Sequence, residues 1–107
     1  MTASIYKGGR MAITKAMYDS VGSDYIELFY HKEKNAVGIK ASTENNSDSF
    51  LLRKAKGQNT WMVGLKAFLN YYDVQNVEGK RFPAEKVDEL IIIDLNKPLE
   101  YKKRGDQ

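Results

Sequence analysis

MAITKAMYDSVGSDYIELFYHKEKNAVGIKAS, residues Met11 to Ser42, is the stretch on which the fold turns. Met11 to Ile13 is apolar enough for a brief strand. Thr14 follows as an N-cap, which predicts a helix over Lys15 to Val21 with Gly22 as its natural stop. Ala16, Met17 and Val21, with Tyr18, form a stripe at helical spacing, and core packing is its expected role. From Asp24 to His31 the residues are β-formers. Their alternation gives Ile26, Leu28 and Tyr30 to one face and Tyr25, Glu27, Phe29 and His31 to the other. Lys32-Glu33-Lys34-Asn35 reads as a turn, and Ala36 to Ala41 returns as a second strand with Val37 and Ile39 on one side. The stretch therefore spells strand, helix, hairpin.

A second stretch, WMVGLKAFLNYYDVQNVEGKRFPAEKVDELIIIDLNK from Trp61 to Lys97, spells it again. Met62-Val63 stands where Ala12-Ile13 stood, and Lys66-Ala67 where Lys15-Ala16 stood. Leu65 to Tyr72 predicts a helix with Leu65, Phe68, Leu69 and Tyr72 on its inner face. Tyr71 falls about 100° away and is expected in solvent. Arg81 to Val87 and Leu90 to Leu95 predict a closing hairpin through Asp88-Glu89. Leu90 to Ile93 is the most hydrophobic run, suited to a central strand covered on both faces. Pro83, lacking an N–H, is expected at an edge or a bulge.

Between the two blocks, Thr43 to Ser49 (TENNSDS) is polar throughout and reads as a linker. Phe50 to Lys54 and Thr60 to Val63 then read as strands around the turn KAKGQN. Met1 to Arg10 reads as a short polar lead with a flexible turn at Gly8-Gly9. Either block alone is too small to bury both faces of its strands. The expected fold is α+β, mostly β: two β-α-β-β repeats (11–42 and 61–97) packed as a pseudo-twofold barrel with two short helices. One domain covers residues 1–100, and residues 101–107 form a flexible basic tail.

Length and composition fit that picture. A chain of 107 residues that is 42% hydrophobic and 29% charged can build a core without staples. No apolar run approaches the roughly 20 residues that span a bilayer, and the first residues lack the apolar core of a signal peptide. With no cysteine there is no disulfide or thiolate chemistry. These features lead us to expect a cytoplasmic protein with no membrane partner. Of the net charge of +3, the tail with Lys102, Lys103 and Arg104 against Asp106 holds +2, leaving +1 on residues 1–100. So near-neutral a body binds a polyanion only through a local patch.

Catalytic chemistry finds no motif. His31 is the single histidine, read as a surface or turn residue, so no metal site and no cofactor are expected. Ser47 and Ser49 lie in the linker without the strand–turn–helix context of a nucleophile. Glu78, Glu85 and Asp94 lack an apolar pocket to raise a carboxyl pKa, and Asp88-Glu89 is a turn. KGGR and KGQN lack the phosphate-loop spacing. The chain is expected not to be an enzyme.

What remains is binding. Lys7 with Arg10, then Arg53, Lys54 and Lys56, then Lys80 with Arg81, form basic clusters whose convergence the sequence leaves open. Aromatics offer an alternative. Tyr25, Phe29 and His31 share one strand face and Tyr71 is expected to be exposed, a surface suited to a protein partner.

Gly9-Arg10, Ile13-Thr14-Lys15, Val21-Gly22, DYIELFY and AVGIKAS together resemble the SpoVT/AbrB-like swapped-hairpin domains. That family includes bacterial transition-state regulators, antitoxins, and proteins with two copies in one chain. The resemblance covers Lys7 to Ser42 well and Trp61 to Lys97 loosely; the chain is also similar to small bacterial and phage proteins. It implies a barrel of interlocking hairpins and duplex DNA binding through Arg10 and Lys15, with Lys7 beside them and Lys66 matching Lys15. Thr14 stands where the family usually has proline, Asp19 where it has a basic residue, and no Arg precedes Trp61. The expected function is thus a small DNA-binding regulator or antitoxin-like module using Lys7, Arg10, Lys15, Arg53, Lys54, Lys56, Lys66, Lys80 and Arg81. The alternative is a phage or mobile-element adaptor or inhibitor that binds a protein. Either can act as a monomer or a homodimer.

Overall fold

The structure, a computed structural model, describes residues 1–42 and 49–99. These residues form β1 (Thr2–Ile5), β2 (Arg10–Thr14), α1 (Lys15–Val21), β3 (Tyr25–His31), β4 (Ala36–Ser42), β5 (Phe50–Leu51), β6 (Arg53–Lys54), β7 (Thr60–Gly64), α2 (Lys66–Tyr71), β8 (Lys80–Val87) and β9 (Leu90–Asp94). The strands hydrogen-bond in the order β5-β3-β4-β9-β8-β1-β2-β7-β6, every pair antiparallel. Only Leu52 separates β5 from β6 in the chain, so the two ends of that order meet and the sheet is a nearly closed barrel. The fold is mostly β with two short helices.

The inner surface follows from alternation. Ile5, Met11, Ile13, Ile26, Val37, Ile39, Phe82, Ile91 and Ile93 are all buried and share one core. Ile26 and Leu28 face inward opposite Ala41 and Ile39, as their spacing predicts. Inward placement of these branched side chains is worth about 1.5–3 kcal/mol each, which makes the register hard to slip.

The first helix forms where its caps predict. Thr14 is extended (φ −75°, ψ 164°) and its Oγ1 accepts from the Met17 N–H at 3.4 Å. Gly22 takes the left-handed conformation (φ +78°) and its N–H donates to the Tyr18 carbonyl at 3.1 Å. Met17 is buried and Tyr18 and Val21 pack half-buried against the core, but Ala16 of the expected stripe is exposed. The hairpins turn at Asn35 (φ +49°) and Asp88 (φ +56°), residue types that tolerate this region.

Several expectations need correction. Residues 2–5 are a full barrel strand, because Ala3 and Ile5 alternate with Thr2 and Ser4 and fill the gap between β2 and β8. Phe50 to Lys54 is broken at Leu52, since β5 pairs with β3 and β6 with β7. Leu52 is buried at the break and donates to the Asp24 carbonyl at 2.7 Å. Pro83 lies inside β8, at neither a sheet edge nor a bulge. It makes the last pair with β1, and from Ala84 onward β8 pairs with β9, so the missing donor falls where the ladder passes between partners. Leu90 and Ile92 are only half-buried, since β9 is central but covered on one face. Tyr72 is 42% exposed rather than inward. It lies past the last residue of α2 and packs on Phe68, Tyr30 and Tyr71 rings instead. The expected linker, apart from Ser49, and the tail lie outside the described residues.

Candidate nucleic-acid interface

The register decides which cations meet. Residues paired across antiparallel strands share a face, so the buried set fixes the outer set by subtraction. Ala12 pairs with Ser4 on one side and Met62 on the other; Met62 pairs with Arg53, and Ser4 with Arg81. A single outer row therefore runs Arg53, Met62, Ala12, Ser4, Arg81 across five strands. Arg10, paired with Gly64, lies two residues from Ala12 on the same face, with no side chain opposite it on β7. Arg10 and Arg53 are exposed and Arg81 is half-buried.

The strands on this side carry charge of one sign. β1, β2, β6 and β7 contain no acidic residue, and residues 80–83 of β8 add Lys80 and Arg81. The acids of the sheet are Glu27, Glu85 and Asp94, all on the other half. A near-neutral body is thus divided into a basic half and a mixed one.

The remaining basic positions gather at two corners of the basic half. At one, the β1–β2 turn closes on the start of α2, where Leu65 N–H donates to the Gly9 carbonyl at 2.7 Å. Lys7 and Lys66 line a depression of about 570 Å³ there, with Asn70, Gln75, Asn76 and the acidic Glu78. Lys80 stands beside it, opposite Ile5. At the other corner, Thr60 pairs with Thr14, which brings Lys54 and Lys56 toward Lys15 at the start of α1. Lys15 is neutralised by Asp19 at 2.7 Å, and Lys54 reaches over the Trp61 ring at 5.9 Å. Trp61 in turn stacks on Tyr18 at 4.1 Å. The Tyr18 hydroxyl donates to Asp24 Oδ1; that bond, then burial and the Asp24 and Asp19 charges, raise its pKa. Of the pair singled out by the family resemblance, Arg10 and Lys15 sit at opposite ends of β2, and only Arg10 is on the outer row side with its charge uncommitted to an ion pair among the described residues.

The aromatic positions divide. Tyr25, Phe29 and His31 share the outer face of β3, and Phe29 is 46% exposed. His31 Nδ1 accepts from the Lys34 N–H at 3.1 Å, so it ties the β3–β4 turn. Tyr71 is on α2, exposed and edge-on to Tyr72, away from that strand face. The sequence reading omitted Tyr6, which is exposed and whose N–H donates to the Arg10 carbonyl at 2.8 Å. No periodicity marks it, because it stands in the short turn between β1 and β2. No family model matches the chain, and no curated protein or solved structure matches it.

Proposed function

We propose that the chain is a non-enzymatic DNA-binding module of the regulator or antitoxin-like kind, gripping duplex DNA with the basic half of its barrel. The observation that carries this reading is the outer row ending in Arg53 and Arg81, with Arg10 beside it and no carboxylate on the strands that compose it. Arginine suits phosphate recognition because its planar fork presents several donors at once. Lys7, Lys66 and Lys80 add cations at one corner, where Glu78 stands among them. Lys15, paired with Asp19, contributes little.

The same reading takes 11–42 and 61–97 as two copies of one unit. In its support, both run strand, helix, hairpin, β2 pairs with β7, and β4 pairs with β9. The two hairpins β3–β4 and β8–β9 lie side by side through the β4–β9 pairing.

The test is duplex binding followed by fluorescence anisotropy between about 50 and 200 mM salt. Each phosphate contact adds about 0.9 to the slope of log affinity against log salt. The Arg10→Ala, Arg53→Ala double variant should reduce that slope by about 2 and leave thermal stability unchanged. No binding of any duplex at the lowest salt would end the proposal.

A further inference from the structure

Tyr6 stands at the end of the β1–β2 hairpin, on the basic half. Ile5 is buried, so the next residue along the chain turns outward, and Tyr6 is 45% exposed. Its N–H donates to the Arg10 carbonyl at 2.8 Å, which makes Arg10 its cross-strand neighbour. Two residues from Ser4, it falls on the same outer face as the row from Arg53 to Arg81. Glycines flank the pair. Gly64 lies opposite Arg10, and the Gly79 N–H donates to the Ile5 carbonyl at 2.7 Å. A Cβ built on either glycine would meet nothing within 4 Å, so no side chain rises from these two positions. Among the described residues Tyr6 has no ring contact and its hydroxyl no hydrogen bond, whereas Tyr18 and Trp61 stack on each other.

We infer that Tyr6 is a stacking platform for an unpaired nucleobase, and that the DNA this face prefers is a duplex with a short single-stranded overhang. The inference rests on the proposed function and narrows its ligand. A closed duplex shows the edges of its bases in the grooves and keeps their faces in the stack. A tyrosine ring offers a π-face, which only a base outside the stack can take. Barrels that hold single strands combine the same two elements, cations along the backbone and aromatic rings under the bases. Arg10, beside the ring, is placed to bind the phosphate next to the stacked base. The surroundings suit an anionic partner better than an apolar one. Lys7 follows Tyr6, Arg10 adjoins it, and Ser4 and two glycines complete the neighbourhood. Glu78 is outnumbered at this corner by Lys7, Arg10, Lys66 and Lys80.

The experiment is fluorescence anisotropy of the full chain with labelled probes that share one duplex. One is blunt, one carries a short oligothymidine overhang, and one carries the same overhang made abasic. The native chain should bind the thymidine overhang about tenfold tighter than the blunt probe. The abasic overhang, which keeps the phosphates, should lose most of that preference. Tyr6→Phe retains the ring and should retain the preference. Tyr6→Ala should abolish it while leaving blunt-duplex affinity, the salt slope and the circular dichroism spectrum unchanged. A merely structural residue would instead lower binding to every probe together. A native chain that binds blunt and overhang probes alike overturns the inference, as does a preference that survives Tyr6→Ala or the abasic overhang. Each of those results, with duplex binding preserved, spares the proposed function. Absence of binding to all three probes ends both.

Discussion

The two helical corners of the barrel solve one problem by opposite means. At α1 the chain is held locally. Thr14 caps the first turn, Gly22 ends the last, Lys15 pairs with Asp19 four residues on, and Tyr18 bonds Asp24. At α2 none of these devices recurs. Leu65 occupies the cap position with no side-chain bond, and Asn70 stands four residues after Lys66. This corner is held by burial and by a distant loop. Leu65, Phe68 and Leu69 are inside, and Gly9 backs so closely onto Lys66 that a Cβ there would lie 2.8 Å from the Lys66 Cβ. The lesson is that a short helix, marginal alone, needs either its own caps or a neighbour that fixes its start.

The largest test of that contrast is Leu65→Ala. Leu65 has 0% exposure, so the truncation should cost about 2–5 kcal/mol in urea unfolding. A loss under about 1 kcal/mol would mean that α2 does not depend on burial. Gly9→Ala comes next. At φ +82° and against the Lys66 backbone it should destabilise by about 1–3 kcal/mol, although Gly9 is far from α2 in sequence. Gly8→Ala, at φ +96° but in open space, should cost less. Thr14→Ala should remove about 1 kcal/mol, with the loss confined to α1 amides in hydrogen exchange. The smallest effect is at Tyr18. Its pKa is raised in the folded chain, chiefly by the bond to Asp24, so its contribution is complete below about pH 10 and fades as pH rises through the folded value. The stability difference between the native chain and Tyr18→Phe should therefore shrink above about pH 10 and stay constant at lower pH.

What could be read ahead of the structure divides along the same line. The α1 corner was legible because Thr14, Gly22 and the alternation of Ile26, Leu28 and Tyr30 act within a few residues of themselves. The strand at 2–5 was missed because its two apolar residues make a pattern too short to stand out, and its reason for existing is the gap it fills between β2 and β8. Pro83 was misplaced because strand position depends on where β8 exchanges partners. At the candidate interface, the cations were visible one by one. Their meeting was not, since Arg53, Arg10 and Arg81 come from three strands that only the register aligns.

By itself, then, the sequence determined the local conformations: caps, turns and the inward set on each hairpin, all fixed by steric and hydrogen-bonding preferences of near neighbours. Tertiary structure alone decided which outward residues became neighbours, placing arginines from β2, β6 and β8 on one side and Phe29, Gly38 and Ile92 in one cross-strand row on the other. The physical reason is that cross-strand pairing joins residues by register, and register is chosen by the shared core rather than by any one strand.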